Sequence, residues 1–255
     1  MSVRSVGNGV AKRRHFRLAV IACVGLLTGT LSASSAEDEE KKPSPCTEDA
    51  MIVFDASGSM SGNQVLGIPN SKARIDEVRA ALSVVLPTAT AHRRVGLITY
   101  GPGEYNQCNV KLDLKPTPDS AKTIMSVVNA LVPAGKTALT SAVEQAAEVL
   151  NYRSKPGVIV LVTDGEETCG RSPCALAKQL RLTADQLTVH VIAFRYDGFS
   201  WTGGNSVMEL MCLANENKGL YAKANSEEEL IEALSKTLDC PMVSQADLTP
   251  LGARP

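Results

Sequence analysis

Residues 54–62 read FDASGSMSG, a crowd of small oxygen-bearing side chains placed directly after the apolar run AMIVF. Asp55, Ser57 and Ser59 alternate through it, with Ser61 close behind, and Gly58 permits a tight turn among them. Two more oxygen donors occupy comparable places. Asp164 ends the apolar run GVIVLVT, and Thr137 follows a loop, in PAGKTAL, at the start of a helical pattern. The set holds two carboxylates and three hydroxyls, with no thiol or imidazole. Hard oxygen donors of this kind suit Mg2+, which takes an octahedral shell completed by water; Mn2+ and Ca2+ accept the same atoms. Taken alone, Asp55–Ser61 also reads as an ordinary polar turn. Three separate segments converging on one place favour the metal.

Convergence requires a particular scaffold. AMIVF (50–54), VGLITY (95–100), GVIVLVT (157–163) and VHVIAF (189–194) are short continuous apolar runs. Strands apolar on both faces belong to a parallel sheet covered by helices on either side. Helical patterns separate them. Ile75, Val78, Leu82 and Val85 share a face in a segment that Pro87 is expected to end; Ile124, Val127, Val128 and Leu131 mark a second, stopped at Pro133. Leu139, Val143, Ala146 and Leu150 mark a third, and Leu176 and Leu180 a shorter one. SVME (206–209) and SEEE (226–229) have capping-box spacing and open two more helices, the last ending near Leu238. NVKLDL (109–114) alternates and follows VGLITY across only a loop containing Gly101, Pro102 and Gly103, with no helix between, so these two strands should pair antiparallel. The expected fold is α/β: a doubly wound, mostly parallel sheet with one antiparallel strand at an edge. Ligands of such sheets sit beyond the strand carboxyl ends where the winding reverses, which is where Asp55 and Asp164 would meet.

DASGS, the distant Thr137 and TDGEE together resemble the von Willebrand factor type A (VWA) domain with its metal-ion-dependent adhesion site. The likeness covers nearly all of residues 49–240, and YGPGEYNQC, GKTAL and DGEETCGRSPC are similar to a bacterial exported subgroup. The resemblance implies a six-stranded Rossmann-like sheet, with Ser57, Ser59 and Thr137 offering hydroxyls to Mg2+ and Asp55 and Asp164 binding it directly or through water. It further implies an open coordination position for an Asp or Glu of a protein partner, and no catalysis. The family pattern commonly has proline after the threonine; here Ala138 stands there, at a position that touches no metal.

The ends of the chain set its expected location. Arg4, Lys12, Arg13, Arg14 and Arg17 precede the apolar run LAVIACVGLLTGTL (18–31), and SSA (34–36) supplies small residues for cleavage. Residues 1–36 therefore read as a signal peptide, 37–48 as a flexible lead-in and 241–255 as a loose tail. RRHF (13–16) resembles a twin-arginine export motif, so the general and twin-arginine routes both stay open. The exported product would be periplasmic or secreted, without a transmembrane segment. Of 26 basic and 27 acidic residues, the five leader cations are lost, leaving a net charge of about −6 and no basic stripe; nucleic acid is not an expected partner. Six of the seven cysteines remain: Cys46, Cys108, Cys169, Cys174, Cys212 and Cys240. An even count in an exported chain points to disulfides, with fifteen connectivities open if all pair. Topology suggests Cys46–Cys240 across the two ends of the domain, and Cys169–Cys174 around a short loop beside Asp164. Cys108 and Cys212 have no assigned partner.

Enzymatic alternatives find less support. AGKT (134–137) is not a phosphate-binding loop, because Ala130 stands where its first glycine belongs. No G-x-S-x-G elbow occurs. The rival reading is a Mg2+-assisted hydrolase using the same oxygen cluster. It lacks an obvious general base, since His92 reads as an exposed loop residue and His190 as a packed strand residue; Glu166 and Glu167, next to Asp164, could act as bases, but read more plainly as solvated charges or as partners of a helix N-terminus. Lys136 is expected beside the crevice, facing solvent. In the loop DGFSWTGGN (197–205), Phe199 and Trp201 are equally consistent with a partner contact and with packing under the loop.

Overall fold

The computed structural model describes residues 46, 48–62, 72–196 and 206–240. The expected signal peptide, most of the lead-in, the loop bearing Phe199 and Trp201, and the tail lie outside the described residues. Six strands form one sheet: β1 (Asp49–Asp55), β2 (Val95–Tyr100), β3 (Val110–Thr117), β4 (Gly157–Thr163), β5 (Leu187–Phe194) and β6 (Tyr221–Ala224). Their order is β3-β2-β1-β4-β5-β6, with every neighbouring pair parallel except β2 and β3. The doubly wound sheet with one antiparallel edge strand is thus as expected. β6 carries no apolar run of its own; only Ala224 of its four residues is buried.

Six helices cover the two faces: α1 (Arg74–His92), α2 (Ala121–Ala130), α3 (Leu139–Val149), α4 (Pro173–Thr183), α5 (Ser206–Glu216) and α6 (Glu227–Leu238). The period of two along β1 sorts its side chains between them. Ala50, Ile52 and Phe54 enter a core with α1, α2 and α6, while Met51 and Val53 enter a second core with α3, α4 and α5. Burial on both faces explains why the central strands read as uninterrupted apolar runs.

Three local expectations are corrected. Pro87 does not end α1, which continues five residues to His92. Pro87 and Ser83 both lie on the exposed side of the helix, so the carbonyl left without an N–H donor faces water. Beyond the proline, burial of Ala89 and the Thr90 hydroxyl's bond to the Leu86 carbonyl (2.8 Å) carry the helix on. SVME forms no capping box: Ser206 is already helical and bonds the Tyr196 hydroxyl, and Glu209 turns to the start of α4. At SEEE, by contrast, Ser226 caps α6 by accepting from the Glu229 N–H, 3.2 Å. Finally, Cys169 and Cys174 do not pair. The bridges are Cys46–Cys240, as expected, with Cys108–Cys169 and Cys174–Cys212. Ser172 caps α4 and Pro173 opens it, which turns Cys174 in the first turn toward the packed helix α5 and leaves Cys169 to the β2–β3 loop.

Candidate metal centre

β1 and β4 are neighbours at the point where the winding reverses, and Asp55 and Asp164 emerge side by side from their carboxyl ends. Asp55 is fully buried. Its Oδ1 accepts the Ser57 N–H at 2.8 Å and its Oδ2 accepts the Thr163 hydroxyl at 2.8 Å. Those bonds fold residues 55–57 into a tight turn followed by a one-turn 3-10 helix, Gly58–Ser61. The turn aligns the two serine hydroxyls 3.0 Å apart, and Ser59 Oγ donates to Asp164 Oδ1 at 2.6 Å. Ser61 stays outside, its hydroxyl donating to the Gly58 carbonyl.

Thr137 reaches the same place on a loop fixed from both sides. The Gly58 N–H donates to the Gly135 carbonyl (3.0 Å), the Gly135 N–H to the Gly101 carbonyl (2.6 Å) and the Lys136 N–H to the Gln107 carbonyl (3.0 Å). Gly101 has φ +87°, and a Cβ there would lie 2.4 Å from the Ser57 nitrogen, so only glycine lets these loops approach. On the other flank, Thr137 N–H donates to the Thr168 hydroxyl and Thr168 N–H to the Thr137 carbonyl. The Cys108–Cys169 bridge closes over this arrangement, joining the β2–β3 loop to the β4–α4 loop with Lys136 and Thr137 between them. Glu167 accepts from the Thr140 N–H at the start of α3 and from the Cys169 N–H, a helix N-terminal partner and loop brace.

All five expected oxygen donors are therefore brought together. Ser57, Ser59, Thr137 and Asp164 line an open crevice of about 700 Å³, and Asp55 sits behind them. Arg74, Tyr105, Lys136, Glu166, Arg195 and Tyr196 form much of its rim. Burial, followed by the charge of Asp164, raises the Asp55 pKa to about 6, while its hydrogen bonds to Ser57 and Thr163 act the other way. Two adjacent buried carboxylates are an electrostatic arrangement that a dication relieves. Space for one is left by Gly165: a Cβ there would stand 3.7 Å from Ser59 Oγ and 3.9 Å from Thr137 Oγ1. The donor set and the cradle fit a hard divalent cation. Among the described residues no three His, Cys, Asp or Glu side chains cluster to hold a metal, so any ion here depends on the hydroxyls.

The sequence did not single out Arg74. Its Nη1 lies 2.7 Å from Asp164 Oδ2, with the carboxylate fully buried and the arginine side chain 26% exposed. A second arginine at the rim, Arg195, has φ +49° and is anchored to the buried Glu77 of α1 at 2.7 Å. Neither carries a motif; only the fold brings the start of α1 and the end of β5 to the crevice. Lys136 is exposed at the rim, as expected. His190 lies elsewhere, in a cavity with Glu48 and Arg93, where its Nδ1 accepts the Leu220 N–H.

Residues 50–167 match the von Willebrand factor type A domain model, a span that includes all five oxygen donors. The Bacillus subtilis (strain 168) protein YwmC is similar, 26% identical over 225 residues that span 84% of this chain and 93% of its own. Among solved structures, a von Willebrand factor type A domain from Catenulispora acidiphila superposes with a TM-score of 0.56 at 17% identity, covering 76% of this chain and 42% of that one. Proximal thread matrix protein 1 from the mussel byssus, with a zinc occupied MIDAS motif, gives a TM-score of 0.50 at 20% identity, covering 77% and 48%. The sequence match over residues 50–167 and the sheet architecture point the same way, and the chain has the Rossmann-like fold of solved von Willebrand factor type A domains.

Proposed function

We propose that this is an exported adhesion-type module that binds a divalent cation, Mg2+ first among candidates, through Asp55, Ser57, Ser59, Thr137 and Asp164. Bound there, the ion supplies an open Lewis-acid position for an acidic side chain of a protein partner. The observation that carries this reading is the pair of adjacent buried carboxylates faced by three hydroxyls at the mouth of an open crevice. The mussel protein, whose fold is similar and whose MIDAS motif holds zinc, supports it by analogy. Recognition is favoured over hydrolysis because no histidine is among the described residues lining the crevice, which leaves Glu166 at its rim as the candidate base. Export is supported by three disulfides, which persist in oxidising compartments, and by the leader-like residues 1–36. Among the described residues no helix is long and apolar enough to cross a membrane.

Thermal melts in EDTA, Mg2+, Mn2+ and Ca2+ test the reading, with Asp164→Ala and Thr137→Ala alongside. An ion that binds only the folded state at about 100 times its Kd adds roughly 2.7 kcal/mol, or on the order of 5–10 °C in Tm for a domain of this size. Both substitutions should abolish most of that rise, and a short Glu-containing peptide should extend it in the wild type. No rise at saturating metal would reduce the oxygen cluster to a polar turn.

A further inference from the structure

Every oxygen of the two carboxylates already has a partner. Ser57 N–H and the Thr163 hydroxyl hold Asp55; the Ser59 hydroxyl and the Arg74 guanidinium hold Asp164. Of these four donors only Arg74 is a cation, and only it comes from outside the strand ends and their turns. It is the first residue of α1, where the helix dipole is positive and disfavours a basic side chain. Asp164 is the ion-pair partner of Arg74 among the described residues. The exposures are also unequal: the Asp164 side chain has no solvent contact, whereas a quarter of Arg74 already meets water at the crevice mouth. If the contact breaks, the arginine departs to solvent and the carboxylate stays. A single positive charge beside two buried carboxylates leaves one of them uncompensated, and a dication does not.

We propose that Arg74 is an exchangeable cation of this centre: it holds Asp164 while no divalent ion is bound, yields that carboxylate when one binds, and so sets the affinity and threshold of the site for metal. The proposal rests on the divalent-metal reading above. Once released, the guanidinium stands at the crevice rim, on the side of α1, where it adds a positive charge for an acidic partner. Metal loading and exposure of an anion-binding group are then one event.

The test compares wild type, Arg74→Met and Arg74→Lys in metal-free buffer and across a Mn2+ or Mg2+ titration. It reads Kd by calorimetry and Tm by circular dichroism. Arg74→Met should bind the ion at least tenfold more tightly, because no resident cation has to leave. It should also melt lower than wild type in EDTA and at nearly the same temperature in saturating metal. Arg74→Lys, which keeps the charge on a shorter and more strongly hydrated head group, should fall between the two. In the wild type, addition of diamagnetic Mg2+ should shift the Arg74 side-chain N–H resonances and speed their exchange with water; that measurement stands even if a variant folds poorly. A Tm gap that is the same with and without metal, together with an unchanged Kd, would make Arg74 a structural ion pair and overturn the proposal. Weaker metal binding by Arg74→Met would overturn it as well. If neither wild type nor Arg74→Met responds to any divalent ion, the metal reading itself fails, an outcome distinct from the other two.

Discussion

The Cys108–Cys169 bridge offers the sharpest quantitative handle on the centre, because it joins two loops that grip Thr137 from opposite sides. Replacing both cysteines by serine removes a cross-link of sequence separation 61. In the chain-entropy treatment, a loop of that length restricts the unfolded ensemble by about 4 kcal/mol at 25 °C. At roughly 2–4 °C per kcal/mol for a domain of this size, Tm should fall by about 8–16 °C in EDTA. A pure unfolded-state effect would stop there, leaving the metal-induced rise in Tm unchanged. The loop geometry requires more. The Lys136 N–H bond to Gln107 and the paired backbone and hydroxyl bonds between Thr137 and Thr168 both lie within the clamp. Releasing it should therefore also shrink the Mg2+-induced rise. Melts of the double variant with and without metal, alongside Cys174→Ser/Cys212→Ser as a bridge that joins α4 to α5 and leaves the β2–β3 loop untied, separate the two effects. A loss below about 1 kcal/mol, or a metal response identical in both double variants, would refute the reasoning that this bridge braces the centre.

Two further outcomes are expected. Gly165→Ala places a methyl group 3.7 Å from Ser59 Oγ and 3.9 Å from Thr137 Oγ1. These are ordinary contact distances at a residue of ordinary φ, so the fold should tolerate the change while the metal-induced Tm rise is largely lost; an undiminished rise would place the ion elsewhere. The pH dependence of the metal-free protein should reveal two opposed groups. Asp55, raised from 3.8 to about 6 by burial and then by Asp164, binds a proton more readily folded than unfolded, so its share of stability declines as pH rises from about 4 to 6. His190, lowered from 6.5 to about 4 by burial and then by the charge of Arg93, stays neutral when folded, so its share is present above pH 6.5 and lost as pH falls toward 4. Measured as Tm against pH in EDTA, and relative to wild type, His190→Gln should therefore gain stability on acidification and Asp55→Asn should lose it.

What could be read directly from the chain was governed by burial. β1, β2, β4 and β5 lie inside the sheet, and their apolar runs declared their places to within two residues and, through the aspartate that ends β1 and the one that follows β4, the location of the crevice. β6 escaped because a four-residue edge strand with one buried side chain has no pattern to show. Pro87 misled because a rule about helix interiors weighs less when the orphaned carbonyl faces solvent. Cys169 and Cys174 are near in sequence, yet the helix start between them sends their side chains to different neighbours. Arg74 was invisible for a related reason. A lone arginine at a helix start has many uses, and its contact with Asp164 spans 90 residues of chain.

The remaining bridge, Cys46–Cys240, has a mechanical consequence. Its two Cα atoms lie 5.4 Å apart, one ahead of β1 and the other just past α6. Tension applied along the polypeptide from either side enters at one cysteine and leaves at the other through a covalent bond, so the 6-stranded sheet carries none of it. A load hung on the crevice travels differently. It runs from Asp55 down the length of β1 to Cys46, and β1 is hydrogen-bonded along its length to a parallel strand on each side. Pulled that way, both ladders are loaded in shear, many bonds at once, instead of being peeled one after another. A pull on the crevice would thus reach Cys46 along the strand best placed to resist extraction.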